Sequence, residues 1–284
     1  MGTGRHIETR GHVVGFKEEI GRTADLSPEA FLTWFDDASG PDEAFLRGAW
    51  DFSVHIAQPL APYLRAPEEK TILEIGHGAG RILASAARHF REAVGIDVHD
   101  RNDIVRRELS IRGVGNVRLL ETDGRRIPLA DASIDVAYTF IVFQHIERIA
   151  VFEAYLRELH RVLRPGGLAM IYFGRWSHWS LARKSRLRYV ADRVVERALL
   201  RRGYREIQAP VNHTNLLVTL GHASRVARAS GFDVLHRVVS HKHTEPVVAA
   251  AREARVPVAF AGQGGRASLL RALAQLDEMR RERG

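Results

Sequence analysis

The segment TILEIGHGAG, Thr71 to Gly80, holds four apolar positions, one carboxylate and three alternate glycines. A short apolar run closed by glycine is the pattern of a strand buried on both faces. Gly76, Gly78 and Gly80 then allow close backbone approach at the carboxyl end of that strand, where doubly wound sheets bind their ligands. The dinucleotide fingerprint G-x-G-x-x-G would need glycine at 76, 78 and 81, and position 81 is Arg81. What remains to be explained is Glu74, because an ionised carboxylate inside an apolar run requires a partner.

Outward from this segment, strand-like and helix-like stretches alternate. RILASAARHF reads as a helix, EAVGID as a strand, RNDIVRRELSIRG as a helix and NVRLLETD as a strand. SIDVAYTFIVF follows as a strand, then a long amphipathic helix with Ile149, Phe152, Leu156, Leu159 and Leu163 at helical spacing, then the strand LAMIYFG. This order predicts an α/β, doubly wound, mostly parallel sheet of seven-stranded type with helices on both faces. Four segments are expected: a mainly helical N-terminal cover over 1–68, a ligand-binding core over 69–174, a basic helical insert over 175–215 after the fifth strand, and a completion of the fold over 216–284.

The glycine-rich turn resembles motif I of the class I S-adenosylmethionine-dependent methyltransferases, whose E/D-x-G-x-G-x-G is matched at Glu74, Gly76, Gly78 and Gly80. Three further blocks agree in order. Asp97 ends the second strand, 17 residues after Gly80, where a carboxylate can accept from both ribose hydroxyls. Asp123, with Gly124 beside it, takes the place of the carboxylate that reads the adenine amino group, and Phe140 joins the cofactor set on the next strand. Arg164, Pro165, Gly166 and Gly167 resemble the turn that opens the fifth strand. The resemblance covers residues 70–173 and implies S-adenosylmethionine as cofactor, with Glu74 at the pocket floor beside a ligand carrying an ammonium and a sulfonium.

Methyl transfer to a hydroxyl benefits from a general base. The resemblance places His145, in VFQHIERI, at the methyl-transfer pocket, and His213, in APVNHTNLL, is the second candidate base or acceptor-binding residue. No metal site is expected, since VHD (His99, Asp100) and HKHT (His241, His243) are incomplete ligand sets. The absence of cysteine excludes disulfides, thiolate metal sites and thiol nucleophiles.

The chain has 284 residues, 45% apolar, enough for a substantial core, and a net charge of +8. Residues 175–205 hold ten Lys or Arg against Asp192 and Glu196, which accounts for the whole excess. Nucleic acid is not the expected partner. There is no cysteine for cytosine C5 chemistry, no N/D-P-P-Y/F/W turn after the fourth strand, and only four lysines from which to build a Lys-Asp-Lys-Glu tetrad. The insert, with Leu187, Val190, Val194 and Leu199 near helical spacing, reads first as an amphipathic cap, second as a substrate site whose arginines bind an anionic group while Trp176 and Trp179 stack on a sugar or other flat apolar face, and third as a membrane or nucleic-acid contact. The expected activity is O-methylation of a small polar acceptor, such as a sugar, natural product or anionic molecule. An N- or C-methyltransferase and a non-catalytic cofactor-binding partner subunit are the alternatives. No run approaches a bilayer span and the first residues lack a secretory apolar block, so a cytoplasmic location is expected, with membrane contact not expected and the oligomeric state open.

Overall fold

The computed structural model describes residues 16–36, 38–174, 186–207, 209, 213–237 and 247–251. Helices α1 (Phe16–Leu26), α2 (Pro28–Trp34) and α3 (Pro41–Asp51) come first. A π-helical turn, Phe52–Ala57, then leads into the short α4 (Gln58–Leu60). Ser27 caps α2 by accepting from the Ala30 N–H at 3.0 Å, and Pro28 occupies the first turn, where its missing N–H costs nothing.

The alternating core comprises β1 (Thr71–Ile75), α5 (Arg81–Ala87), β2 (Glu92–Asp97), α6 (Asn102–Ile111), β3 (Val117–Glu121), β4 (Ile134–Thr139), α7 (Ile149–Val162) and β5 (Leu163–Ile171). Helix α8 (Arg186–Leu199) follows, then the hairpin β6 (Tyr204–Glu206) and β7 (Leu216–Val218), helix α9 (Leu220–Ala229) and strands β8 (Phe232–Arg237) and β9 (Val247–Ala251). Among the described residues the main sheet has seven strands in the order β3-β2-β1-β4-β5-β9-β8. Strands β1 to β5 are parallel, and β9 runs antiparallel to both neighbours.

Every residue of β1 is buried, as a central strand covered on both faces demands. Strand alternation sends Ile72 into a core shared with α1 to α6, and Leu73 and Ile75 into a second core built with α7 and α9. Glu74 therefore faces the side of the N-terminal helices. That cover is packed tightly on the core: a Cβ at Gly48 of α3 would stand 2.4 Å from the Arg81 carbonyl oxygen of α5.

Three local expectations change. The fourth strand stops at Thr139 rather than continuing through SIDVAYTFIVF, because the chain leaves the sheet at Ile141, whose φ of +59° is strained for a β-branched residue. The Arg164–Gly167 turn lies within β5 as an irregularity: from Ile134–Leu163 to Val136–Leu168, β5 advances five residues against two. Helix α8 forms at the expected spacing, yet Leu187, Val190, Val194 and Leu199 are exposed, so these side chains do not cap the core.

Candidate functional site

Sheet order reverses between β1 and β4, and the loops leaving their carboxyl ends diverge to open a crevice. Its floor is Glu74 and the glycine-rich turn. Gly78 has φ of +51°, and a Cβ there would meet the Phe35 ring at 2.8 Å, so the turn passes directly under the cover. Phe16, Ile20, Trp34 and Phe35 complete the opposite wall. Sequence reasoning could not name these four, because nothing local in 1–68 marks which face of a helix meets the crevice.

Glu74 is 2% exposed, and the Tyr138 hydroxyl donates to its Oε2 at 2.8 Å. Burial pushes its carboxyl up to about 8, against the opposing pull of Tyr138 and Arg81. Arg81, also on the crevice wall, donates from Nη1 to Asp51 Oδ2 at 2.8 Å, and its Nε lies 3.6 Å from Asp36 Oδ2. Burial raises the Asp36 carboxyl above its ordinary value, Arg81 opposing. Arg81 went unread in the sequence, although an arginine where the dinucleotide motif wants glycine was a visible signal.

Asp97 lines the crevice one strand away. Its Oδ2 accepts from the Gly78 N–H and its Oδ1 from the Val98 N–H, both at 2.7 Å. Burial alone would raise this carboxyl; the His99 and His77 rings and the two N–H donors outweigh it and hold it below its usual range. His77, Asp97 and His99 bring their ligand-type atoms within 4.8 Å of one another, a grouping that VHD alone did not reveal. Both rings are directed at the glycine turn: His77 Nδ1 lies 2.9 Å and His99 Nε2 3.0 Å from the Gly78 carbonyl oxygen, while Arg101 N–H donates to His99 Nδ1 at 3.1 Å. His77 is held neutral, with burial depressing it to about 4. The trio clamps Gly78 from three sides. His241 and His243 lie outside the described residues.

Asp123 is exposed and does not line the crevice; its Oδ1 accepts from the Arg125 and Arg126 N–H groups and shapes the turn after β3. The wall position there belongs to Thr122, whose Oγ1 accepts from the buried Gly124 N–H at 3.2 Å. Phe140 lines the crevice and stacks on His55, centroids 5.3 Å apart.

His145 lines the crevice beyond Phe140, packed near the Phe16 ring at 5.1 Å. Its Nδ1 lies 2.9 Å from the backbone oxygen of His213, which can only accept, so Nδ1 carries the proton and Nε2 the lone pair. Gln144 Nε2 sits 3.2 Å from that lone pair. Burial lowers the His145 pKa, and the His213 bond opposes the shift. His213 itself is exposed, and its part in the site is its carbonyl rather than its ring.

The donor set fits a cofactor with an ammonium, a carboxylate and a ribose. Glu74 is a buried carboxyl that a bound cation would ionise at neutral pH, Arg81 offers further donors, and each Asp97 oxygen keeps a lone pair beyond its backbone bond. Residues 73–171 match the family described as methyltransferase domain. An uncharacterised methyltransferase of Mycobacterium sp. (strain KMS) is 30% identical over 113 residues, covering 39% of this chain and 41% of the relative. Malonyl-[acyl-carrier protein] O-methyltransferase of Methylococcus capsulatus is 30% identical over 164 residues, 56% of this chain and 57% of the relative. The chain thus spans about half the length of the curated relatives it matches. In fold it is similar to an S-adenosylmethionine-dependent methyltransferase from Mesorhizobium loti, with TM-score 0.52, 15% identity and coverage of 72% and 99% of the two chains. A methyltransferase from Aquifex aeolicus gives TM-score 0.50, 18% identity and coverage of 71% and 92%. Motif, sheet order, crevice and family match agree: residues 73–171 form a class I S-adenosylmethionine-dependent methyltransferase domain.

Proposed function

We propose that the protein transfers a methyl group to a hydroxyl of a small, largely apolar acceptor, with His145 as general base. S-adenosylmethionine supplies an electrophilic methyl group on a sulfonium. Glu74 and Arg81 hold the ammonium and carboxylate ends of the cofactor, and the free lone pairs of Asp97 take the ribose hydroxyls. The aromatic wall from Phe16, Trp34 and Phe35 keeps water from the reacting atoms.

The observation that carries this reading is the His145 tautomer. Its proton is tied to the His213 carbonyl, leaving the Nε2 lone pair to accept a proton, and burial keeps the ring neutral near pH 7. An acceptor hydroxyl replaces Gln144 at that nitrogen and gives up its proton there as the oxygen attacks. The malonyl-[acyl-carrier protein] relative, named as an O-methyltransferase, supports oxygen as the acceptor atom. The crevice that holds His145 is also lined by Phe16, Ile20, Trp34, Ile141 and Ile146, which favours an apolar acceptor over the sugar expected from the sequence.

The test is an acceptor screen with methyl-labelled cofactor, followed by His145→Asn on the acceptor found. Turnover should fall roughly 10²–10⁴-fold with cofactor affinity within about twofold of the parent. Unchanged turnover removes the base role, and transfer to nitrogen or carbon removes the hydroxyl.

A further inference from the structure

Helix α8 is inside out. Helical periodicity aligns Leu187, Ala191, Val194 and Ala198 along one line, with Val190 on one flank and Val195 and Leu199 on the other. All seven are exposed, Leu187 at 82% and Val194 at 62%. Glu196, on the opposite side, is fully buried, and Leu200 just beyond the helix is buried with it. A surface helix ordinarily turns its apolar stripe inward. Of eight large exposed apolar residues among those described, five sit on this one helix, which makes them a patch rather than scatter.

The patch lies in the most basic part of the chain. Residues 186–205 contain seven arginines against Asp192 and Glu196, and Arg197, Arg201, Arg202 and Arg205 are exposed. We propose that α8 docks in plane on an anionic lipid bilayer, its apolar arc at the headgroup–acyl boundary and its arginines on the lipid phosphates.

Charge and chemistry select this occupant. A second copy of the chain would bring an equally basic helix against the first. A nucleic acid would engage the arginines but leave five aliphatic side chains in water, and the seven described residues of the exposed arc include no aromatic ring on which a base could stack. A bilayer satisfies both halves of the surface at once. The helix is also tied to the crevice. It leads into the β6–β7 hairpin, where Glu206 accepts from Ile149 N–H and Arg148, and the Gln144 carbonyl accepts from the Asn215 and Leu216 N–H groups beside His145. Docking therefore sets the His145 side of the molecule close to the bilayer. This inference stands independently of the methyl-transfer reading.

The experiment is co-sedimentation of the full chain with vesicles of phosphatidylcholine alone or with about one third phosphatidylglycerol. The parent should bind the anionic vesicles at least about tenfold more tightly than the neutral ones. Val190→Asp/Val194→Asp changes exposed positions, so its melting temperature and cofactor affinity should match the parent while vesicle binding falls about tenfold or more. If that variant does not fold, Val190→Ser/Val194→Ser gives the same reading with a smaller loss. Arg201→Glu/Arg202→Glu should weaken binding and flatten its salt dependence. The proposal fails if the parent ignores anionic vesicles, or if the Val190/Val194 variants bind as well as the parent, which would reduce the effect to electrostatic adsorption. It also fails if these substitutions abolish instead a concentration-dependent dimer or nucleic-acid binding.

Discussion

In the proposed function Glu74 meets the ammonium of the cofactor, and that contact would couple binding to pH. In the free crevice its carboxyl is pushed up to about 8, so it is protonated at neutral pH, whereas a bound ammonium favours the ionised form. Binding therefore releases a proton, and affinity rises with pH until the free carboxyl ionises by itself. Calorimetry between about pH 5.5 and 7.5 should show S-adenosylmethionine affinity rising by up to about tenfold per unit, with heats that depend on the buffer's ionisation enthalpy. In Glu74→Gln that slope should vanish; a parent without it places the ammonium elsewhere. Asp97 acts differently, being held ionised by two N–H donors, and its contribution should be nearly flat over the same range. Asp97→Ala should weaken both S-adenosylmethionine and its demethylated product by about tenfold to a hundredfold, from the loss of charge-assisted bonds. Equal affinity for parent and variant would take Asp97 out of the ribose contact.

Helix α1 and the end of α2 form the second wall of the crevice, and the attachment of the whole cover, α1 to α4, is electrostatic as well as apolar. Arg81 on α5 is bridged to Asp51 at the end of α3 in a nearly dry environment. Asp51→Ala should cost about 3 kcal/mol in urea unfolding, because it removes the hydrogen-bonded partner of a buried guanidinium and leaves only the longer contact with Asp36. Asp51→Leu with Arg81→Met should recover most of that loss, and a double variant no more stable than Asp51→Ala would show that the pair is not the main tie. Among the elements, β1, α5, β2, α6 and α7 were legible because apolar period and glycine punctuation act locally. The early end of β4 was not, since Val136 to Phe143 is interrupted only by Thr139 and the departure at Ile141 accompanies the entry of Phe143 into the core around α7. The outward turn of α8 was also hidden: periodicity gives a stripe but not its direction.

Across the chain, the legible half of the crevice is the half built from consecutive residues. Glu74, Gly76, Gly78 and Asp97 line the crevice on or beside strand ends, so their spacing carries their position, whereas Gly80 faces Val105 of α6 instead. Asp123 shows the limit, because an offset of one residue just past the end of β3 gave the wall to Thr122 and left the Asp123 carboxylate on the outer side of the turn. Arg81, Trp34 and Phe35 escaped because their roles arise from contacts between segments far apart in sequence. The net charge of +8 likewise located an unusual stretch without stating which way it faced.

The Arg81 bridge has a consequence for how such a chain can change over generations. Its cation belongs to the sheet-bearing half and both of its carboxylates, Asp36 and Asp51, to the cover. A recombination event joining this core to a foreign cover near residue 68 would inherit a guanidinium with no counter-charge, in a place where water cannot substitute. Such chimaeras would carry that cost before any change in the crevice could matter. Point changes at Phe16, Ile20, Trp34 and Phe35 reshape the crevice without breaking the bridge, which exchange of the whole cover cannot do.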